Sequence, residues 1–351
     1  MIESPQPRPP GKKLETLEVV RAFAALAVVG FHATGLPFQR GYAEVHDPIL
    51  FLGKYGVHVF FVLSGFIIFY IHGKDLGNPE RAPNYFWRRW VRIWPLYAVV
   101  TILQVFGKPL LLGKPIDEPV AIITSLLFLD LENPTIIAVG WTLVHEAFFY
   151  LVFGILIVIG RRLSVWFLVF FLIGQVIVWL NPEAANPLVA FIFSPLKWYF
   201  IAGIGAACWL ISCQHDRESG LRKVAIFLFT LMMILGVAAI MSERSSITFF
   251  LAPSIALVLL GLTLVDLKFV AQFPPFLVFL GAASYSIYLV HANILDVGLI
   301  VIAKKAPELI ENSLGLVMLV LAIASVIFGI VFHLFIEKPL LFWIRRIHNQ
   351  S

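Results

Sequence analysis

The chain has 351 residues, 60% of them hydrophobic and 13% charged, with a formal net charge of +5. Soluble domains carry about 25% charged residues, so the composition excludes an ordinary soluble enzyme and points to an integral membrane protein of many spans. The positive balance is read as basic loops on the cytoplasmic side rather than as nucleic-acid binding, and two cysteines, Cys208 and Cys213, are too few for a disulfide framework.

Residues 1–13, MIESPQPRPPGKK, are polar and proline-rich and lack the apolar core of a signal peptide. The first span is therefore expected to act as the signal and stay. A crossing needs about 20 apolar residues. Such runs fall near 16–36, 51–71, 95–112, 139–160, 164–180, 189–211, 224–241, 248–265, 275–294 and 314–336. The expected fold is all-α, a polytopic transmembrane helix bundle of about ten spans. A tail over 1–15 precedes a single transmembrane domain over 16–337, and a second tail covers 338–351. Most Lys and Arg residues fall on alternate linkers, among them Lys74, Arg81, Arg88, Arg89, Arg92, Arg161 and Arg162. That bias puts the N-terminus inside, and an even number of spans puts both termini in the cytoplasm. The stretch 113–138 holds an apolar piece too short to cross, and is expected to be a re-entrant or interfacial helix.

Ionisable groups within a span are expensive and are functional candidates by default. The first span contains RAFAALAVVGFH, with Arg21 and His32 eleven positions apart. At 100° per residue both lie on one helix face, about 16 Å apart along the axis. Taken singly, Arg21 could snorkel to lipid phosphate and His32 could cap the helix. The shared face argues for a joint role. The fourth span opens WTLVHEAFFY, where Thr142, Glu146 and Tyr150 share a face. Topology puts Glu146 at the depth of His32, and a Glu–His pair fixes the imidazole tautomer and favours proton abstraction. The alternative is a structural buried pair. The ninth span, GAASYSIYLVHANILD, brings His291 to the same depth, preceded by Tyr285, Ser286 and Tyr288.

On the cytoplasmic side, FWRRWVRIWPLY interleaves Arg88, Arg89 and Arg92 with Trp87, Trp90 and Trp94. Composition alone favours an interfacial helix gripping anionic lipid. Arg21 at the same level shifts the reading toward a phosphate ligand, which arginine forks suit. Ser64 and Gly65 in VLSGF read as close helix packing rather than a nucleophile elbow. There is no zinc-protease, Walker or dinucleotide motif, and no metal is expected.

In their order and spacing, LEVVRAFAALAVVGFH, GVHVFFVLSGFII, FWRRWVRIWPLY, WTLVHEAFFY, SYSIYLVH and IEKP resemble the acyltransferase 3 family, membrane-bound acyltransferases of bacterial surface glycans. The resemblance covers essentially the whole chain, and the second motif is similar to relatives that acetylate exopolysaccharide. It implies a multi-pass enzyme of the bacterial inner membrane. That enzyme would move an acyl group, usually acetyl, from cytoplasmic acetyl-CoA to a glycan hydroxyl, with polysaccharide-assembly machinery as a possible neighbour. Carried over by motif, Arg21 and His32 are the functional pair of the first span. Arg88, Arg89 and Arg92 fall in the basic donor-binding motif, and Glu146 is the acidic residue of the fourth. Trp141, Tyr150, Tyr288 and His291 are supporting candidates, Trp141 and nearby tyrosines as oxyanion donors. Two rival readings are a lipid-linked-glycan transporter, with His and Glu as a proton relay, and a non-catalytic subunit of a glycan-assembly complex.

Overall fold

In a computed structural model, the residues described are 14–44, 47–113, 118–129, 136–181, 186–215, 254–259, 261–263 and 273–348. All regular structure among them is helical. In a hydrocarbon solvent a spanning segment must bond its own backbone groups, which a helix does within itself. Besides short helical turns such as Pro48–Phe51, the elements are α1 (Glu15–Gln39), α2 (Gly56–His72), α3 (Ala82–Leu112), α4 (Pro119–Leu126), α5 (Trp141–Leu180), α6 (Pro187–Ile192), α7 (Lys197–His215), α8 (Pro275–Lys305), α9 (Pro307–Phe332) and α10 (Lys338–His348). Pro119, Pro187, Pro275 and Pro307 each open a helix, where the missing N–H costs nothing.

Among the described residues seven helices are long and apolar enough to cross a membrane. The chain is thus a multi-pass membrane protein. The span expected at 224–241 lies outside the described residues, as does part of that at 248–265. The spans expected at 139–160 and 164–180 share one helical element, α5, bent at Gly160 (φ 84°, ψ 169°). A left-handed φ of that size suits glycine alone. Over 113–138 the structure gives α4, eight residues long and too short to cross. Beyond 337, where a tail is expected, a five-residue π-turn (His333–Glu337) leads into α10.

The chain divides into two compact units. The first comprises Met1–Arg21, His58–Ala82 and Leu151–Gly281. Here α2 and α7 pack at closest approach. A Cβ on Gly65 would stand 2.1 Å from the Phe200 carbonyl oxygen, and one on Gly203 2.1 Å from that of Val62. Ser64–Gly65 is therefore a packing element. Beside it the His58 and Tyr199 rings meet edge to face, 4.4 Å between centroids. The bend in α5 is fixed in the same unit, where the Gly77 N–H donates to Ile157 O at 2.8 Å.

The second unit comprises Ala22–Val57, Pro83–Tyr150 and Ala282–Ser351. An apolar cluster of Ala33, Leu295, Leu299, Ile310, Val317 and Met318 joins the end of α1 to α8 and α9. Arg40 bonds Asp296 through both Nε (2.7 Å) and Nη2 (2.5 Å) near that cluster. Short α4 is held to α3, with Trp94 Nε1 donating to Leu126 O at 3.0 Å and the Tyr97 and Ser125 hydroxyls 2.8 Å apart.

Candidate functional site

All the candidate site residues except Arg21 belong to the second unit, and α8 is its hub. The polar residues of SYSIYLVH leave the helix at different azimuths, since each position advances about 100°. Each goes to a different neighbour. Tyr285 donates to Ile93 O on α3 (2.7 Å), and Ser286 to Glu337 Oε2 (2.7 Å). The Tyr288 hydroxyl lies 2.9 Å from Thr142 Oγ1 on α5, and His291 Nε2 lies 3.1 Å from His32 Nδ1 on α1. Away from water a polar side chain must find such partners, so one short motif fixes four contacts.

The two histidines form the centre. His291 is fully buried at 0% exposure, whereas His32 is half-buried. Their ring centroids are 5.0 Å apart. His291 Nδ1 faces Tyr288 O at 2.7 Å and Ile287 O at 3.2 Å, and His32 Nδ1 faces Val28 O at 3.0 Å. The Phe31 ring stands nearly perpendicular to His32 at 5.0 Å.

The sequence argument paired His32 with Glu146. The structure brings His291 to His32, and Tyr150 to Glu146: the Tyr150 hydroxyl donates to Glu146 Oε1 at 2.5 Å. That bond is the i, i+4 face of α5 at work. Thr142, one turn before Glu146, donates to Val139 O at 2.9 Å while meeting Tyr288. Tyr288 thereby ties α8 to α5 directly beside His291. Trp141 is exposed, its ring edge-on to His145 at 6.0 Å.

The arginine cluster on α3 divides by face. Trp87, Trp90 and Trp94 stack in a ladder with centroids 5.4 and 5.1 Å apart. Arg88 and Arg92, one turn apart, are exposed, and Arg88 Nε donates to Asn84 Oδ1 at 3.0 Å. Half-buried Arg89 lies over the rings of Tyr150 (5.8 Å) and Tyr85 (6.0 Å), and Tyr85 donates to Tyr150 O at 3.1 Å. Arg89 Nε is buried and makes no hydrogen bond among the described residues. A buried guanidinium N–H in that state is suited to an anionic ligand, so the cluster fits a phosphate-bearing molecule.

Arg21 lies in the first unit, its Nη1 3.2 Å from Glu18 Oε2, and both side chains are nearly buried. The sequence argument missed Glu18, although an acid three positions before an arginine on one helix is a readable signal. It also left unassigned the carboxylate of IEKP. Glu337 is buried and accepts from Ser286 and from His333 Nδ1 (2.6 Å) across the π-turn.

Residues 14–335 match the family of acyltransferase domains, Acyl_transf_3. The chain belongs to the acyltransferase 3 family. This acyltransferase is similar to the exopolysaccharide production protein ExoZ of Rhizobium meliloti (strain 1021), 27% identical over 306 residues that cover 83% of this chain and 90% of that one. It is also similar to the acyltransferase MdmB of Streptomyces mycarofaciens, 32% identical over 168 residues, 44% of this chain and 41% of that one. The match thus spans under half of the Streptomyces protein. No solved structure matches. The polar cluster around α8 thus lies within an acyltransferase-family domain. Its imidazoles can move a proton, and its arginines can hold an anion.

Proposed function

We propose that the enzyme transfers an acyl group, usually acetyl, from cytoplasmic acyl-CoA to a hydroxyl of a cell-surface or exported polysaccharide. In this reading it crosses the bacterial inner membrane about ten times, with both termini in the cytoplasm. The observation that carries the chemistry is the half-buried His32 imidazole backed by the buried His291. Family membership favours an enzyme over the transporter and subunit readings. The near full-length similarity to a protein of exopolysaccharide production supports a polysaccharide acceptor.

Donor phosphates pair with Arg88, Arg89 and Arg92 through charge-assisted hydrogen bonds. By its first-span motif, eleven positions before His32 on the same helix face, Arg21 is a further candidate for donor phosphate. At 1.5 Å per residue His32 lies about 16 Å further along that helix, comparable to the reach of an extended pantetheine arm. His32 takes the proton of the acceptor hydroxyl as its oxygen attacks the thioester carbonyl. The C–S bond then breaks, and the thiolate recovers the proton from His32. Glu146, held by Tyr150, supplies negative charge toward the imidazolium that forms.

The test is His32→Ala in membranes supplied with labelled acetyl-CoA, counting label in the polysaccharide fraction. General-base help is worth about 10²–10⁴-fold, and a loss of that order is expected. Near-normal transfer at normal expression refutes the role of His32. Arg21→Ala should weaken acetyl-CoA binding more than it alters acceptor use, and an unchanged affinity removes Arg21 from the donor site.

A further inference from the structure

We propose that His291 is a positioning residue that holds His32 in the tautomer whose lone pair lies on Nε2, and that accepts the Nδ1–H of His32 while His32 is protonated. This rests on the reading of His32 as the base.

The assignment follows from which atoms can donate. A carbonyl oxygen only accepts. His32 Nδ1 lies 3.0 Å from Val28 O, so it carries hydrogen. His291 Nδ1 lies 2.7 and 3.2 Å from two carbonyl oxygens, so it carries hydrogen as well. The remaining contact, His291 Nε2 to His32 Nδ1 at 3.1 Å, cannot join two N–H groups. His291 Nε2 is therefore the acceptor, and the Nδ1–H of His32 is shared between it and Val28 O. The opposite assignment, with His291 Nε2 as donor, would set the His32 Nδ1 lone pair against the Val28 lone pairs. One arrangement satisfies all of these contacts, and it leaves the lone pair of neutral His32 on Nε2.

The consequences for catalysis are specific. Only an unprotonated nitrogen can accept the hydroxyl proton, and backbone geometry delivers that nitrogen as Nε2. When Nε2 takes the proton, the Nδ1–H···Nε2 bond to His291 becomes charge-assisted, a stronger class of bond. His291 thus favours the protonated base at the moment it forms, without touching either substrate. The Nδ1–H stays on His32 throughout. The abstracted proton leaves from Nε2 to the departing thiolate, so no net proton reaches His291. Tyr288 holds this partner in place through Thr142.

The experiment uses the full chain in nanodiscs and in native membranes. With ¹⁵N-labelled histidine, and His32→Ala to assign its signals, wild-type His32 should show Nδ1 protonated and Nε2 bare at neutral pH. Finding Nδ1 bare overturns the proposal whatever the activity. With labelled acetyl-CoA as donor, His291→Phe should lower kcat about 100-fold, the lower range of general-base help, with the KM for acetyl-CoA little changed. His291→Gln, whose amide oxygen can accept from His32, should recover most of that loss. The double variant His32→Ala/His291→Phe should be no slower than His32→Ala alone. His291→Phe within about threefold of wild type, no recovery in the Gln variant, or a further loss in the double variant overturns it. Failure of the base reading shows separately, as normal activity in His32→Ala.

Discussion

Replacing Tyr150 by Phe deletes a single oxygen, the one that donates to Glu146 Oε1 at 2.5 Å. The ring stays, and with it the contact of the Arg89 guanidinium over its face at 5.8 Å. Tyr150 is buried, so a Phe ring fits the same space. The loss is then one hydrogen bond to a carboxylate, a class worth about 1.5–3 kcal/mol. Glu146 is only half-buried, so water can replace part of the bond, which puts the cost near about 1.5 kcal/mol. If Glu146 assists transfer, that is roughly a tenfold fall in rate. The assay is transfer of label from acetyl-CoA to polysaccharide in membranes, run as a double-mutant cycle with Glu146→Gln. Glu146→Gln alone should lose more than Tyr150→Phe. In the Gln background the Phe substitution should cost no more than about twofold, because contacting partners are not additive. A second full tenfold loss there would show that Tyr150 acts elsewhere and refute the coupling. A wild-type rate in Tyr150→Phe would remove Glu146 orientation from the mechanism.

Further outcomes test the remaining assignments. Arg88→Gln and Arg92→Gln should each raise the KM for acetyl-CoA, by about tenfold for a lost charge-assisted bond, with kcat little changed; equal effects on both parameters would contradict a donor-binding role. Gly65→Ala should destabilise the protein by about 1–3 kcal/mol, the usual range for overpacking, because its Cβ would meet the Phe200 backbone. Gly205→Ala, with nothing within 4 Å of the new Cβ, is the control. Thermal unfolding in detergent reads both, and equal midpoints would refute the packing account. Glu337→Ala strips a buried partner from both Ser286 and His333, and should cost about 3 kcal/mol of stability. An unchanged unfolding midpoint would count against that role.

Several features were legible because they depend on one helix alone. Arg21 and His32 share a face through spacing, as do Glu146 and Tyr150, and Ser64–Gly65 has the composition of a packing site. The partner of His32 was not legible. Depth reasoning put Glu146 and His291 at the level of His32, but that His291 turns its Nε2 to His32 depends on the rotations of α1 and α8 about their axes. No single helix encodes those rotations. The break between the spans expected at 139–160 and 164–180 was legible, with Arg161 and Arg162 marking it, but its form as a bend within α5 was not. One glycine with positive φ does the work of a loop, and its conformation cannot be read from VIGRR. The Ser286–Glu337–His333 cluster joins residues 51 positions apart, so only its local i, i+4 half could have been read.

The reciprocal glycines of α2 and α7 constrain mechanics as well as packing. Each helix seats its glycine on a carbonyl oxygen of the other, at Gly65 on Phe200 and Gly203 on Val62. Sliding α2 along its partner by one turn would bring Phe61 or Phe69, four positions from Gly65 on the same face, onto that oxygen. The two rods are thus keyed like a bolt in a notch. Within the first unit that keying opposes axial slip between the two helices.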